Sequence, residues 1–593
     1  MYKNKIILII LSILLFSCTN TMSFNFEEAI KSGNIEKIKL LLKNGVNINA
    51  INKKGQSALH IALREKRISI AKLLIEKGIN INVRNKYGRT PLMSALYSLS
   101  WSYKKKNNKL YNFIFDLISK TMDINVINTA FMYALKIRTI NIKKKIRLLK
   151  TLISKGANVN VKEFGEIPLF IAAQNNDITI INFLIRNNAD VRIKDNEGNT
   201  LLMKIMVTFT NFEFKDKKGL KLVKYLLKKG LNVNAINNKG NTVLMDTITY
   251  SDNYELIKFY LDNGAKINIK NNNGLSVLSI AVEHARLKII KLLISKGADV
   301  KIVDNNLNSL IHLLSLASIG TNFKKILTTA KYLIKKGVNL NAKNRDGNTA
   351  LMILSRDKNN ELSKLFLNNG AEINIKNNKG LSALSYAINQ CNYKKVKFLV
   401  SKGADLNVID NNGNGLLNRI TLQSNYINRY FIDYIQSFNE RKKPLIKIAK
   451  YLIKKGINLN AIDKDGNTAL MKIVFDKDNE LTKLYLNNGA KINHTNKNGL
   501  SALSYAISRL DLKRMILLLS KGADFNVIDC EGNNLLSRIA LRYKQLDKKY
   551  DDKSYSGLKE KFNIKKNILI RIAFLILEKG INVKTKNKAG LTP

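Results

Sequence analysis

The sequence predicts an all-α repeat solenoid, elongated and curved, and three observations carry that prediction. Gly380 to Ile388 reads GLSALSYAI, and the same nine residues return unchanged from Gly499 to Ile507. Repetition on this scale marks units that bury a core only by stacking on their neighbours. Within each copy, apolar residues fall at helical spacing on two short segments separated by turn residues. Finally, 45% hydrophobic and 24% charged residues suit a folded chain, and 593 residues in one repetitive array need no division into several unrelated domains.

One unit, Asn377 to Ile409, shows how its elements arise. Asn377 to Gly380 is a turn, with Gly supplying backbone freedom. Ser382 stands at an N-cap, and Ala383, Leu384, Ala387 and Ile388 give the following helix an apolar face. After a short turn from Asn389 to Asn392, Val396, Leu399 and Val400 mark a second helix, with Lys402 in its last turn where a cation suits the helix dipole. Gly403 is a left-handed C-cap, and Ala404 to Ile409 runs extended into the next turn.

This unit resembles an ankyrin repeat. Gly88 to Met93 reads GRTPLM, Gly55 to His60 reads GQSALH and Gly165 to Leu169 reads GEIPL, while second helices end as LLLKNGVNIN (40 to 49), LLIEKGININ (73 to 82) and LISKGANVN (152 to 160). The Pro that usually opens the first helix is kept at Pro91 and Pro168 alone, apart from the final Pro593, which costs some preorganisation but not the fold. The resemblance implies a scaffold of helix pairs and β-turn fingers that binds protein partners.

From the N-terminus, Lys3 and Lys5 precede an apolar run, Ile6 to Phe16, which reads as a signal peptide over residues 1–17 and is too short to span a bilayer comfortably. Leu15-Phe16-Ser17-Cys18 resembles a bacterial lipobox and makes Cys18 the lipidated residue, followed by a linker over 18–23; Phe16 departs from the usual small residue, and an ordinary cleaved signal or an uncleaved anchor is the plainer alternative. The solenoid is expected over 24–584 as about fifteen units, opening with a capping helix pair at Phe26 to Lys31 and Ile35 to Lys43. Turn glycines mark the units at Gly55, Gly88, Gly165, Gly198, Gly240, Gly274, Gly347, Gly380, Gly413, Gly466, Gly499 and Gly532; Leu307 stands at the equivalent position of one unit, and a degenerate unit near Asn128 to Leu135 lacks it. The triplets starting at Gly347 and Gly466 are offset by 119 residues, the mark of a duplicated three-unit block. Long interhelix inserts fall near 421–447 and 541–569. In the first, Tyr426, Tyr430, Phe431, Tyr434, Ile435 and Phe438 form an aromatic stripe, read as a lengthened first helix or, alternatively, a partner-binding surface. Residues 585–593 open another repeat without its helices, and order is expected to end near Lys584.

Chemistry-bearing motifs are sparse. His60, His284, His312 and His494 show no metal-ligand spacing with Cys or carboxylates, and there is no phosphate-binding loop or nucleophile elbow. His60 and His312 fit the structural first-helix His of the family. Cys391 and Cys530, 139 residues apart, are expected to be free thiols. No enzyme, cofactor or metal is expected. The net charge of +56 includes Lys pairs at second-helix ends, such as Lys228-Lys229, Lys335-Lys336 and Lys454-Lys455, read as solvated dipole partners; Asn, Lys and Ile abound together as AT-rich coding would produce. The expected function is thus a monomeric, non-enzymatic scaffold of the bacterial cell envelope, anchored to a membrane through its lipid and binding a protein on the concave surface of fingers and first helices. Tyr386, Arg419 and Lys472 would vary its exposed chemistry. Nucleic acid is not an expected partner; the alternative is a basic binder of polyanions or anionic membranes.

Overall fold

The structure, a computed structural model, describes residues 25–100, 108–163, 165–175, 177–210, 217–318, 322–357, 359–430, 435–473, 479–551 and 559–593, with side chains except at 207–210, 217–220, 427–430, 435–441, 546–551 and 559–562. Cys18 and the signal and linker residues therefore lie outside the described residues, as do the side chains of Tyr430, Phe431, Tyr434, Ile435 and Phe438. The chain divides into two compact units, Met1–Asn272 and Asn273–Pro593. It is an all-α repeat solenoid, with fifteen helix pairs following one another among the described residues.

Each pair is built as its sequence dictates. In the unit from Asn377, helix Ala383–Asn389 starts at Ser382, whose Oγ accepts from the Ser385 N–H, and buries Ala383, Leu384, Ala387 and Ile388 almost completely; helix Tyr393–Ser401 buries Val396 and Leu399. Within Asn273–Pro593, first helices pack on first helices (Val277–Glu283 on Leu310–Ala317, then Ala350–Ile353, then Ala383–Asn389). Second helices pack on second helices (Leu287–Ser295 on Phe323–Lys335, then Glu361–Asn368). The core is the sheet of Leu, Ile and Ala between these layers. Small Ala on first helices permits the close approach that a unit of this size needs.

The N-cap chemistry is more varied than the usual Ser/Thr-to-His box. His60 and His312 each accept the N–H of their N-cap residue, Ser57 or Ser309, on Nδ1 at 3.2 Å. At the same position Met93, Met203, Met245, Met352 and Met471 accept the corresponding Thr N–H on Sδ at 3.4 to 3.5 Å. A thioether is a weak acceptor, but it satisfies a buried amide that would otherwise be orphaned.

The inserts lengthen both helices of a pair. Leu416–Tyr430 is followed by Ile435–Lys454, and Leu535–Asp551 by Lys559–Glu578, against seven and nine residues in the unit from Asn377. The degenerate unit has no finger: Asp123 caps a helix, Ile124–Lys136, that begins directly after the preceding pair. The expected loss of order beyond Lys584 is not what the structure shows. Asn587 closes a turn with Gly590 and Leu591, and the Lys588 N–H donates to Glu531 O at 2.9 Å. The turn needs only the preceding finger as its partner, not the helices of another unit.

Candidate functional site: the finger face

The fingers are Asx turns, except at Gly165, where Lys162 stands at the base and Glu163 and Glu166 bridge instead. In an Asx turn the base residue, for instance Asn344, accepts the N–H groups two and four residues on (Asp346 at 3.1 Å, Asn348 at 3.0 Å) with its own Oδ1, while the Gly347 N–H donates to Asn344 O at 2.8 Å. All twelve turn glycines anticipated in the sequence have φ between 66° and 82°, and Leu307 takes the same left-handed conformation at 59°. Proximity adds a second demand: a Cβ on Gly347 meets the Asn378 side chain and lies 2.6 Å from the Asn378 N of the next finger. At Gly88, where the following unit has no finger, the same Cβ meets nothing.

Successive fingers are tied by backbone bonds, such as Asn378 N–H to Asp346 O (3.1 Å) and Lys497 N–H to Asp465 O (3.1 Å). A side-chain ladder runs beside them. Asn237 donates its Nδ2 to Asn199 Oδ1, Asn344 to Asn308, Asn377 to Asn348 and Asn496 to Asn467, at 2.8 to 3.0 Å. A second series ties the loops after second helices, where Asn341 Oδ1 accepts from Glu372 N–H and Asn374 Oδ1 from Asp405 N–H. The recurring asparagines thus have assigned places. Composition alone does not explain them.

The first-helix residue nine positions after the finger base completes the network. At the Asn bases Asn377 and Asn496 it is a tyrosine: Tyr386 OH donates to Asn348 Oδ1 (2.8 Å) and Tyr505 OH to Asn467 Oδ1 (3.0 Å), whereas the base Asn344 is followed by Ile353. At four of the five Asp bases it is a cation: Arg419 on Asp410 (2.6 Å), Arg538 on Asp529 (2.7 Å), Lys204 on Asp195 (2.7 Å) and Lys472 on Asp463, the exception being Asp304 with Leu313. Burial pushes the Asp463 carboxyl up, but its bonds to Lys472 and Asn467 outweigh burial and hold it below its ordinary value. Tyr386, Arg419 and Lys472, expected to be exposed and freely variable, are therefore half-buried parts of the ladder, matched to their own finger base.

The histidines are structural. His60 Nε2 donates to Arg89 O and His312 Nε2 to Asn348 O, both at 2.9 Å, so each ring links its N-cap to the next finger as a neutral imidazole. Burial lowers the pKa of both. His284 bonds Ile280 O within its own turn, and His494 reaches Gly466 O. Among the described residues no group of three or more His, Cys, Asp or Glu could hold a metal ion, and Cys391 and Cys530 are in no disulfide.

Two open clefts lie on this face. One of about 640 Å³ in Met1–Asn272 is lined by Glu197, Lys204, Lys239, Asp246 and the exposed Tyr250; burial raises the Asp246 pKa. The other, about 410 Å³ in Asn273–Pro593, has Leu316, Arg345, Met352, Ile353, Arg356 and Tyr386 around it. The first is mixed in charge, the second basic and apolar.

Sequence reasoning did not find the buried cations of the second helices. Lys395, 1% exposed, donates to Asn359 O (3.0 Å) and Ser363 Oγ (2.8 Å), and burial pulls its pKa down to about 8. Arg514, 119 residues later, reaches Ile473 O in the same manner. Both sit among lysines that look alike in sequence, and only packing separates them from the exposed ones, which include Lys228-Lys229, Lys335-Lys336 and Lys454-Lys455.

The family model for ankyrin repeats (3 copies) matches residues 26–128, 131–207, 215–304 and 314–410, and a second for ankyrin repeats (many copies) matches 471–519. The chain belongs to the ankyrin-repeat family. A curated ankyrin repeat protein of fowlpox virus (strain NVSL) is 48% identical over 46 residues, which is 8% of this chain. That match spans a third (33%) of the viral protein's length, so the likeness is one of repeat units. Ankyrin repeats generally mediate protein–protein interaction, and the finger face is one of the surfaces that lie outside the stacking core.

Proposed function

We propose that this ankyrin-repeat chain is a non-enzymatic scaffold that binds a protein partner on its finger face. The observation that carries the reading is the hydrogen-bonded ladder, which fixes the finger and first-helix side chains before any partner arrives. A preorganised surface loses little conformational entropy on binding. Exposed Tyr250 (62%) and Leu316 (42%) beside the two clefts supply the aromatic and apolar anchors on which interfaces depend. Site-specific photo-crosslinkers at Tyr250 and Leu316 in the native host are expected to give a discrete protein adduct, and one at the exposed second-helix residue Asn369 is not. Equal labelling from all three positions would refute the assignment of the face.

We also infer that the scaffold is an exported bacterial lipoprotein of the cell envelope, with residues 1–17 as signal peptide and Cys18 as the lipidated residue. The support is the run Leu15-Phe16-Ser17-Cys18 after an apolar stretch with Lys3 and Lys5 before it. No helix among the described residues is long and apolar enough to cross a membrane. Metabolic labelling with a palmitate analogue is expected to mark the wild type and not Cys18→Ala; absence of label from both would overturn the anchor.

A further inference from the structure

The excess positive charge is not spread evenly. On the finger face, Lys204, Arg419, Lys472 and Arg538 are each neutralised by an Asp of their own finger. The second helices of Asn273–Pro593 are different. Counting back six residues from the glycine that closes each, the chain places Lys291, Lys331, Lys364, Lys397, Lys450 and Lys483 in six successive helices, all exposed. From two residues before that position up to the glycine, the only acidic residue in the eight second helices of this unit is Glu578. Helix-dipole compensation accounts for Lys483 at most, because that effect fades within the last turn and the other five lysines lie before it. Stacked helices about 8 to 10 Å apart bring these like charges within about a Debye length of one another, and Lys291 alone has a ring contact, over Tyr332 at 5.6 Å, among the contacts identified for the row.

The row then changes character. In the last two second helices, the position that carried lysine holds Ile516 (49% exposed) and Phe574 (63%), and Phe574 stands between Ile570 and Leu577, 40% and 42% exposed, on one face of Lys559–Glu578. We propose that the second-helix face of Asn273–Pro593 docks on an anionic phospholipid bilayer, lysines against headgroups and the Ile516/Phe574 end set into the interface. Several features favour a bilayer over nucleic acid. The row is lysine throughout and lacks the guanidinium fork that reads base edges bidentately, while point-charge ammonium groups suffice for a diffuse anionic headgroup layer. Its exposed aromatic is a single Phe grouped with aliphatic side chains, which suits the headgroup boundary and not a stacked series of bases. A row of basic residues near an anionic leaflet gains attraction from each one, summed over the row and screened by salt. This inference stands independently of the finger-face reading, since it uses the opposite layer of helices.

The test uses the full chain and sedimentation with vesicles of phosphatidylcholine alone or with 30% phosphatidylglycerol. Binding is expected to be at least about tenfold tighter to the anionic vesicles at 50 mM salt and to fall steeply by 300 mM. Comparing variants that all keep the N-terminal run with its Lys3 and Lys5 removes that segment's contribution. The quadruple variant Lys331→Gln, Lys397→Gln, Lys450→Gln and Lys483→Gln is expected to lose most of that preference. A charge-matched control at exposed finger tips (Lys379→Gln, Lys464→Gln, Lys497→Gln and Lys588→Gln) is expected to keep it. Phe574→Ser is expected to weaken the binding that survives high salt. Circular dichroism establishes that each variant is folded. Equal loss in both quadruple variants, equal partitioning into neutral and anionic vesicles, or tight binding to duplex DNA with none to vesicles would overturn the proposal.

Discussion

Gly347→Ala and Gly88→Ala are the same substitution at the same turn position, and the structure assigns them different costs. Both place Ala at positive φ, 76° and 70°, which costs about 1–2 kcal/mol for an L-residue in the left-handed region. At Gly88 the cost ends there, because the added Cβ has open space. At Gly347 the Cβ lies 2.6 Å from the Asn378 N, whose N–H donates to Asp346 O, so the next finger must move and that bond lengthen or break. A lost backbone hydrogen bond adds about 0.5–1.5 kcal/mol, and displacing the Asn377 side chain from Asn348 adds a similar amount, for a total of about 2–5 kcal/mol. Global unfolding of a long repeat array is not two-state, so the suitable assay is hydrogen exchange read locally. Gly347→Ala is expected to speed exchange of the Asn378 amide by at least about tenfold, tenfold being about 1.4 kcal/mol, and to carry the effect into residues 377–381. Gly88→Ala should disturb only residues 85–90. If both variants raise exchange only within their own turn, contact between fingers is not what requires glycine.

The neutral imidazole of His60 gives a pH dependence with a definite sign. Its folded pKa lies below the ordinary 6.5, so its contribution is complete above about 6.5 and is lost as pH falls through the folded value; exchange of the Ser57 amide should accelerate in acid, and His60→Met, the residue used at five homologous positions, should remove the acceleration. Two isosteric changes probe the ladder: Asn377→Asp sets a carboxylate against Asn348 Oδ1 and should cost about 1–3 kcal/mol of local stability, and Asp410→Asn strands the half-buried Arg419 and should cost about 3–5 kcal/mol, both read by exchange across 377–420. Leu307→Gly should relieve left-handed strain worth about 1–2 kcal/mol against a chain-entropy cost of about 0.5–1 kcal/mol, slowing local exchange slightly; faster exchange would show that Leu307 is held there by packing.

How much of this was legible in the sequence follows the range of each interaction. The N-caps, the turn glycines and the apolar faces are local, set by residues within about four of one another, and Ser382, Gly380 and Val396 could be placed from sequence. The ladder joins residues 29 to 38 apart, such as Asn377 to Asn348 and Tyr386 to Asn348, so no local window contains it. A signal was present nonetheless in six units, in Asn377 and Asn496 with Tyr nine residues on and Asp195, Asp410, Asp463 and Asp529 with a cation there, visible only when units are aligned with each other. Met at the capping position was quoted in GRTPLM but looks like ordinary core. Lys395 and Lys397 differ by two residues in one helix, one buried and one exposed, and only the packed loop at Asn359 separates them.

The segregation of charge follows from the same ladder. On the finger face the side-chain positions that could hold a cation are occupied by groups with a fixed hydrogen-bonding duty. At Asp195, Asp410, Asp463 and Asp529 the half-buried first-helix cation meets the carboxylate of its own finger base. An added lysine without an Asp would leave a half-buried charge unpaired, which the fold resists. The second-helix face carries no such duty, because its backbone groups are satisfied within each helix and its outer positions face solvent. Charge can accumulate there at the small cost of mutual screening. Within Asn273–Pro593 the half-buried cations of the finger face are thus paired with Asp, its exposed tips still carry lysines such as Lys379 and Lys497, and the second-helix row is lysine with almost no acid beside it. Moving four lysine charges off one face or the other distinguishes the two roles, which is why the charge-matched pair of variants is more informative than any change in net charge alone.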